Sequence, residues 1–192
     1  MFILNIILFL VSIVALFVCR EVPYLPVIVL ELAAAFIAVA NRDKPEIFVP
    51  LLILMFSKII DVLMFDTLNT KYAVQWYLMG SLFLDAITYW VLLNFYSHPK
   101  MWLAAGCSLA PNRIPQVEFM GYVLLTNIVY NALVLAEVMA YKWEIYHPIA
   151  APFFYSHQTT AMISLKFLML LAIWSMTLDA YAVRKMNRHQ MV

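Results

Sequence analysis

Six apolar stretches, broken only by short polar or proline-marked segments, constrain this chain more than any other feature: residues 2–19, 22–40, 47–65, 73–96, 118–141 and 161–183. Crossing the hydrocarbon core of a bilayer as a helix takes about 20 mostly apolar residues, and a helix pairs its own backbone polar groups where water cannot reach them. The expected fold is therefore all-α: a polytopic integral membrane protein with six transmembrane helices in one bundle, residues 1–192 forming a single membrane domain. Composition agrees. Hydrophobic residues make up 66% of the chain and charged residues 12%, against roughly 45–50% and about 25% in soluble domains. A net charge of +1 provides no overall field, so nucleic acid is not an expected partner.

The breaks define the connections. Arg20 and Glu21 close the first stretch, and the second follows at once with Pro23 and Pro26 in its opening turns, where a missing N–H is tolerated. A tight antiparallel hairpin is expected there. Trp76, Tyr77, Tyr89, Trp90 and Tyr96 lie toward the ends of the fourth stretch, at the headgroup level such rings favour. Residues 101–110 are apolar but too short to cross, so they are expected to be interfacial or re-entrant. The first stretch has no basic flank and no small-residue cleavage site, and is expected to be a retained helix.

Orientation follows from the basic residues. With six spans, Arg42, Lys44, Lys100, Arg113, Arg184, Lys185 and Arg188 share one side, and only Arg20, Lys71 and Lys142 fall on the other. The excess of Lys and Arg marks the cytoplasmic face, so both termini are expected to be cytoplasmic, in a plasma or inner membrane. Cys19 and Cys107 then lie on opposite sides, and no disulfide between them is expected.

Seven ionisable side chains fall inside the apolar stretches: Glu31, Lys58, Asp61, Asp85, Glu137, Lys166 and Asp179. Each costs about 2.5–3.5 kcal/mol at the bilayer centre, so such residues face a bundle interior, a partner or a water path. At 1.5 Å per helical residue, Glu31, Lys58 and Asp85 lie within about 2 Å of the midplane, and Asp61, Glu137 and Lys166 lie roughly 6–11 Å toward the outside. Asp179 falls about 10 Å toward the cytoplasm, where Arg184 is the expected partner. Five acids against two lysines leave an excess of three negative charges. Protons, a bound monovalent cation or other chains must offset it.

Two functions follow from that excess. In the first, the protein is a proton- or cation-linked transporter or channel. Glu31 and Asp85 titrate, Lys58 is their counter-charge, and Asp61, Glu137 and Lys166 form an outer relay. In the second, it is a non-catalytic subunit or scaffold, alone as a homo-oligomer or with other membrane subunits, whose buried charges pair with partner helices. The shortage of glycine, only Gly80, Gly106 and Gly121 with no GxxxG, describes a rather rigid bundle.

Other chemistry finds little purchase. There is no GxSxG, HExxH, CxxC or glycine-rich phosphate loop, so an enzyme is not the expectation, although two Asp side chains meeting in space would suffice for one. His147 and His157, with Glu144, are the residues that would form an outer metal site, but their spacing matches no established ligand pattern. No metal and no cofactor are expected. The aromatic, proline-broken segment between the last two stretches reads as an interfacial collar.

Overall fold

The protein is described by a computed structural model covering backbone residues 2–18, 25–65, 67, 74–95, 97, 114–143 and 152–190, with side chains for all of these except 2–5, 25 and 178–190. Among the described residues every regular element is helical. The helices are α1 (Phe2–Val18), α2 (Leu25–Ala40), α3 (Pro45–Met64), α4 (Val74–Phe95), α5 (Pro115–Lys142), a single turn α6 (Phe153–Ser156) and α7 (Gln158–Gln190). Four segments are long and apolar enough to cross a membrane: α3, α4, α5 and Gln158–Thr177 of α7. The described apolar parts of α1 and α2, Ile6–Val18 and Pro26–Ala40, are shorter. Residues 101–110, Cys19, Cys107, Glu144 and His147 lie outside the described residues.

Local chemistry sets the boundaries. Both α3 and α5 open on a proline at the first helical position, Pro45 and Pro115, where the ring supplies the helical φ and removes an N–H that has no partner anyway. The preceding Lys44 (φ −119°, ψ 90°) and Ile114 (φ −108°, ψ 117°) are extended, as a residue before proline must be. Glu46 and Glu118 occupy the positive first turns, and Lys142 the negative last turn of α5. Between α2 and α3, buried Asn41 closes a short turn: its amide nitrogen donates to the Ile37 carbonyl at 2.9 Å, and its own carbonyl accepts from the Lys44 N–H.

Five helices close into a ring in which α2 packs on α3, α3 on α4, α4 on α5, α5 on α7, and α7 back on α2. The helix α1 lies outside, against α2 and α7, through Phe9 on Trp174 (6.2 Å between centroids) and Phe17 on Phe167 (5.7 Å). Small residues on α2, Ala33, Ala34 and Ala38, are buried in the common core. Lipid offers no hydrophobic drive to helix association, so this kind of close fit has to hold such a bundle together.

The distribution of side chains is inverted relative to a water-soluble protein. On α3, Leu52, Phe56, Ile59 and Leu63 are exposed while Ser57, Lys58 and Asp61 are buried; on α4, Trp76, Phe83, Ile87 and Trp90 are exposed while Ser81, Asp85 and Thr88 are buried. Apolar outside with polar residues inside, on both α3 and α4, fits lipid as the solvent. The protein is a membrane protein of helical architecture.

Candidate functional site

On α3 the buried positions are Ile47, Pro50, Leu51, Leu54, Ser57, Lys58 and Asp61, and on α4 they are Leu78, Ser81, Asp85, Thr88, Leu92 and Phe95. Steps of three and four place each set on one inward helix face. On α5 the corresponding stripe includes Val117, Met120, Leu124, Asn127, Asn131 and Val134. In all three, polar residues interrupt an otherwise apolar stripe, and the interruptions coincide in space.

Coincidence is fixed by direct contacts. The Lys58 ammonium donates to Asp85 Oδ1 at 2.8 Å, with both side chains buried, and the Asn127 amide nitrogen donates to Asp85 Oδ2. One carboxylate on α4 thereby joins α3 to α5. Half a turn inward the Ser57 and Thr88 hydroxyls meet at 2.8 Å, and Thr88 also reaches the Leu84 carbonyl of its own helix. These pairs set α3 antiparallel to α4.

Other charged groups converge on the same ammonium. Asp61 and Glu31 both lie within electrostatic reach of Lys58, and Lys166 within reach of Lys58 and Asp61. Tyr77 interacts with Asp61 and Ser81. Buried Lys58, Asp61 and Asp85, with half-buried Glu31 and Lys166 in electrostatic reach, therefore form one polar centre drawn from α2, α3, α4 and α7.

Glu137 stands apart from it. Its Oε2 accepts the Tyr155 backbone N–H at 2.9 Å, and two helical turns before it the Tyr130 hydroxyl donates to the Phe154 carbonyl at 2.7 Å, with the Tyr130 and Phe154 rings edge to face. Together they pin α6 over the end of the bundle. His157 stacks on Phe153 at 4.7 Å, and its Nδ1 bonds the Phe153 carbonyl at 2.8 Å. Among the described residues no cluster of three or more His, Cys, Asp or Glu could hold a metal ion. Asp179 and Arg184 both lie on α7, beyond the described side chains.

Uncharged residues complete the centre, and charge counting overlooks them. Asn127, Asn131, Ser57, Ser81 and Thr88 are all buried. Their shared signal is the three–four spacing with the charges on α4 and the corresponding stripe on α5. Several oxygens in the interior have no hydrogen-bond partner among the described residues: Glu31 Oε2, Asp61 Oδ1, Asn127 Oδ1 and Asn131 Oδ1. An unpaired buried acceptor costs about 1–3 kcal/mol, so a concentration of four calls for a ligand, water or proton to meet them.

Apolar layers bound the centre on both sides. Toward the start of α3 and the end of α4 lie Leu51, Leu54, Leu92, Phe95, Met120 and Leu124, each at most 2% exposed. In the other direction the buried apolar residues are fewer, Val27, Leu78, Val134 and Ile163, and they lie beside the Tyr130 and Glu137 contacts to α6. The centre is occluded.

No protein-family model, curated protein or solved structure matches the chain.

Proposed function

We propose that the protein conducts or couples protons or small monovalent cations across a plasma or inner membrane through the Lys58–Asp85–Asn127 centre. In this reading all six apolar helices span, α1 and α2 included, and the excess of Lys and Arg on one side puts both termini in the cytoplasm. The observation that carries it is that the Asp61 and Asp85 carboxylates are buried inside a closed ring of helices. Asp85 is 1% and Asp61 8% exposed. A subunit whose charges pair with other chains needs those charges on its outer faces, which here are apolar.

Each group has a chemical part. Asp85 binds or releases the mobile charge, and Lys58 holds the carboxylate when that charge is gone. Asn127 keeps Asp85 oriented through either state by donating to its second oxygen. Glu31 and Asp61, both within reach of Lys58, let the ammonium change partners without ever facing lipid. Carriers and pumps use intramembrane acid and base chains of this composition.

The test is flux in sealed proteoliposomes under an imposed ion or pH gradient, read with an entrapped pH dye and with tracer cations. Wild type is expected to carry flux above empty vesicles, and Asp85→Asn and Glu31→Gln to lose most of it while remaining monodisperse. Unchanged flux in both variants, joined to loss of a co-purifying membrane partner, would instead establish the subunit reading.

A further inference from the structure

One helical turn from the Lys58–Asp85 pair, toward the α3–α4 connection, a second polar layer follows from helix register. Asp61 is three residues beyond Lys58 on α3, Ser81 four before Asp85 on the antiparallel α4, and Asn131 four beyond Asn127 on α5. All three steps are about 5 Å in the same direction. Tyr77 touches the layer from α4 by interacting with both Asp61 and Ser81, which confirms that α3 and α4 meet there.

We infer that this layer, in which Asp61 on α3 stands level with Asn131 and just beyond the Asn127 carbonyl on α5, is a binding site for one monovalent cation of sodium's size. The inference rests on the proposed ion-coupled function and names its ion. Three facts converge on it. Asp61 Oδ1, Asn127 Oδ1 and Asn131 Oδ1 have no hydrogen-bond partner among the described residues, and Asn131 is 1% exposed. All three are hard oxygen donors, the type that suits small hard cations. The described interior carries Glu31, Asp61 and Asp85 against Lys58 and Lys166, a net charge of 2 − 3 = −1, which one such ion brings to zero.

A proton cannot do the same work. Placed on Asp61 it makes a single O–H, which can be donated to one of the two amide oxygens and leaves the other bare. A metal cation engages several oxygens at once. Orientation already favours it at Asn127, whose nitrogen is committed to Asp85 Oδ2, so that its carbonyl oxygen is turned away from that carboxylate. Lys166 lies within electrostatic reach of Asp61, yet makes no ion pair with it among the described residues. Its ammonium is the tethered competitor of the bound ion.

Binding is measured on the purified full-length chain in detergent, with radioactive sodium at equilibrium and with thermal unfolding in sodium chloride against choline chloride. Wild type is expected to bind one sodium ion per chain, saturably, and to unfold at a higher temperature in sodium than in choline. Asp61→Asn and Asn131→Leu should each weaken binding by at least about tenfold, as expected for losing a charge or a ligand from a partly dehydrated site. Lys166→Met should tighten it, an opposite sign that a purely structural role for these residues does not produce. Should the Asp61 or Asn131 variants fail to fold, wild type and Lys166→Met still decide. No saturable sodium binding to wild type, or weaker binding in Lys166→Met, overturns the site. Proton flux in proteoliposomes without sodium binding would remove this inference and leave the proposed function standing; sodium binding without any flux would do the reverse.

Discussion

The two ends of the bundle seal the polar centre by different means. On one side Leu51, Leu54, Leu92, Phe95, Met120 and Leu124 fill nearly two helical turns with large, fully buried side chains. On the other a thinner set, Val27, Leu78, Val134 and Ile163, lies beside a strap, α6, held by one hydrogen bond from Tyr130 and one to Glu137. A thick plug of interlocked side chains can open only by moving helices, whereas a thin layer under a hydrogen-bonded strap opens by local movement. Under the proposed function the centre exchanges more readily with the α6 side, and the plug sets the barrier to crossing.

The largest effect that could break this picture lies between the two seals. Asp85→Leu strands a buried ammonium and should cost about 3–5 kcal/mol in reversible unfolding, whereas Lys58→Met with Asp85→Leu should recover most of that stability, because a well-packed apolar pair replaces an ion pair at little cost. If the single and double variants are equally unstable, the pair is not what joins α3 to α4. Next comes the plug. Leu54→Ala, at a position with no exposure, should cost about 2–5 kcal/mol by leaving a cavity, and should raise passive leak in sealed vesicles.

On the thin side, Val134→Ala removes two methyl groups and should cost about 1.5 kcal/mol. Its sharper signature is access: a cysteine placed at Ser81 should react faster with a membrane-impermeant thiol reagent from the α6 side, with no change from the other. Equal acceleration from both sides would erase the distinction between plug and cover. Smallest of all, Glu137→Ala should leave the unfolding midpoint almost unchanged while amide exchange at Tyr155 rises, since its carboxylate holds that backbone N–H.

Much of this architecture is legible in the sequence. Apolar stretches delimit the helices, and the described helix ends at α3, α4 and α5 fall within three residues of the expected ones because Pro45, Pro115 and the polar turn at Asn41 punctuate them. The grouping of Glu31, Lys58 and Asp85 follows from counting rise per residue, and Lys58 does bond Asp85 with Glu31 in its electrostatic reach. Depth along the normal does not give direction around the helix. That is why Glu137, set beside Asp61 and Lys166 by depth, is found holding α6. Nor does hydropathy register Asn127, Asn131 or Thr88, whose single amide or hydroxyl is outweighed by apolar neighbours in any window of twenty residues. Their part in the centre emerges only from the shared inward stripe.

The most direct test of ion passage through the centre compares wild type with the Lys58→Met, Asp85→Leu double variant in the same proteoliposomes, under an imposed sodium or pH gradient. The double variant is expected to keep the fold and lacks the Lys58–Asp85 pair. The account predicts flux above empty vesicles for wild type and none for the folded, monodisperse double variant. Equal flux in the two, or none in wild type, would contradict it.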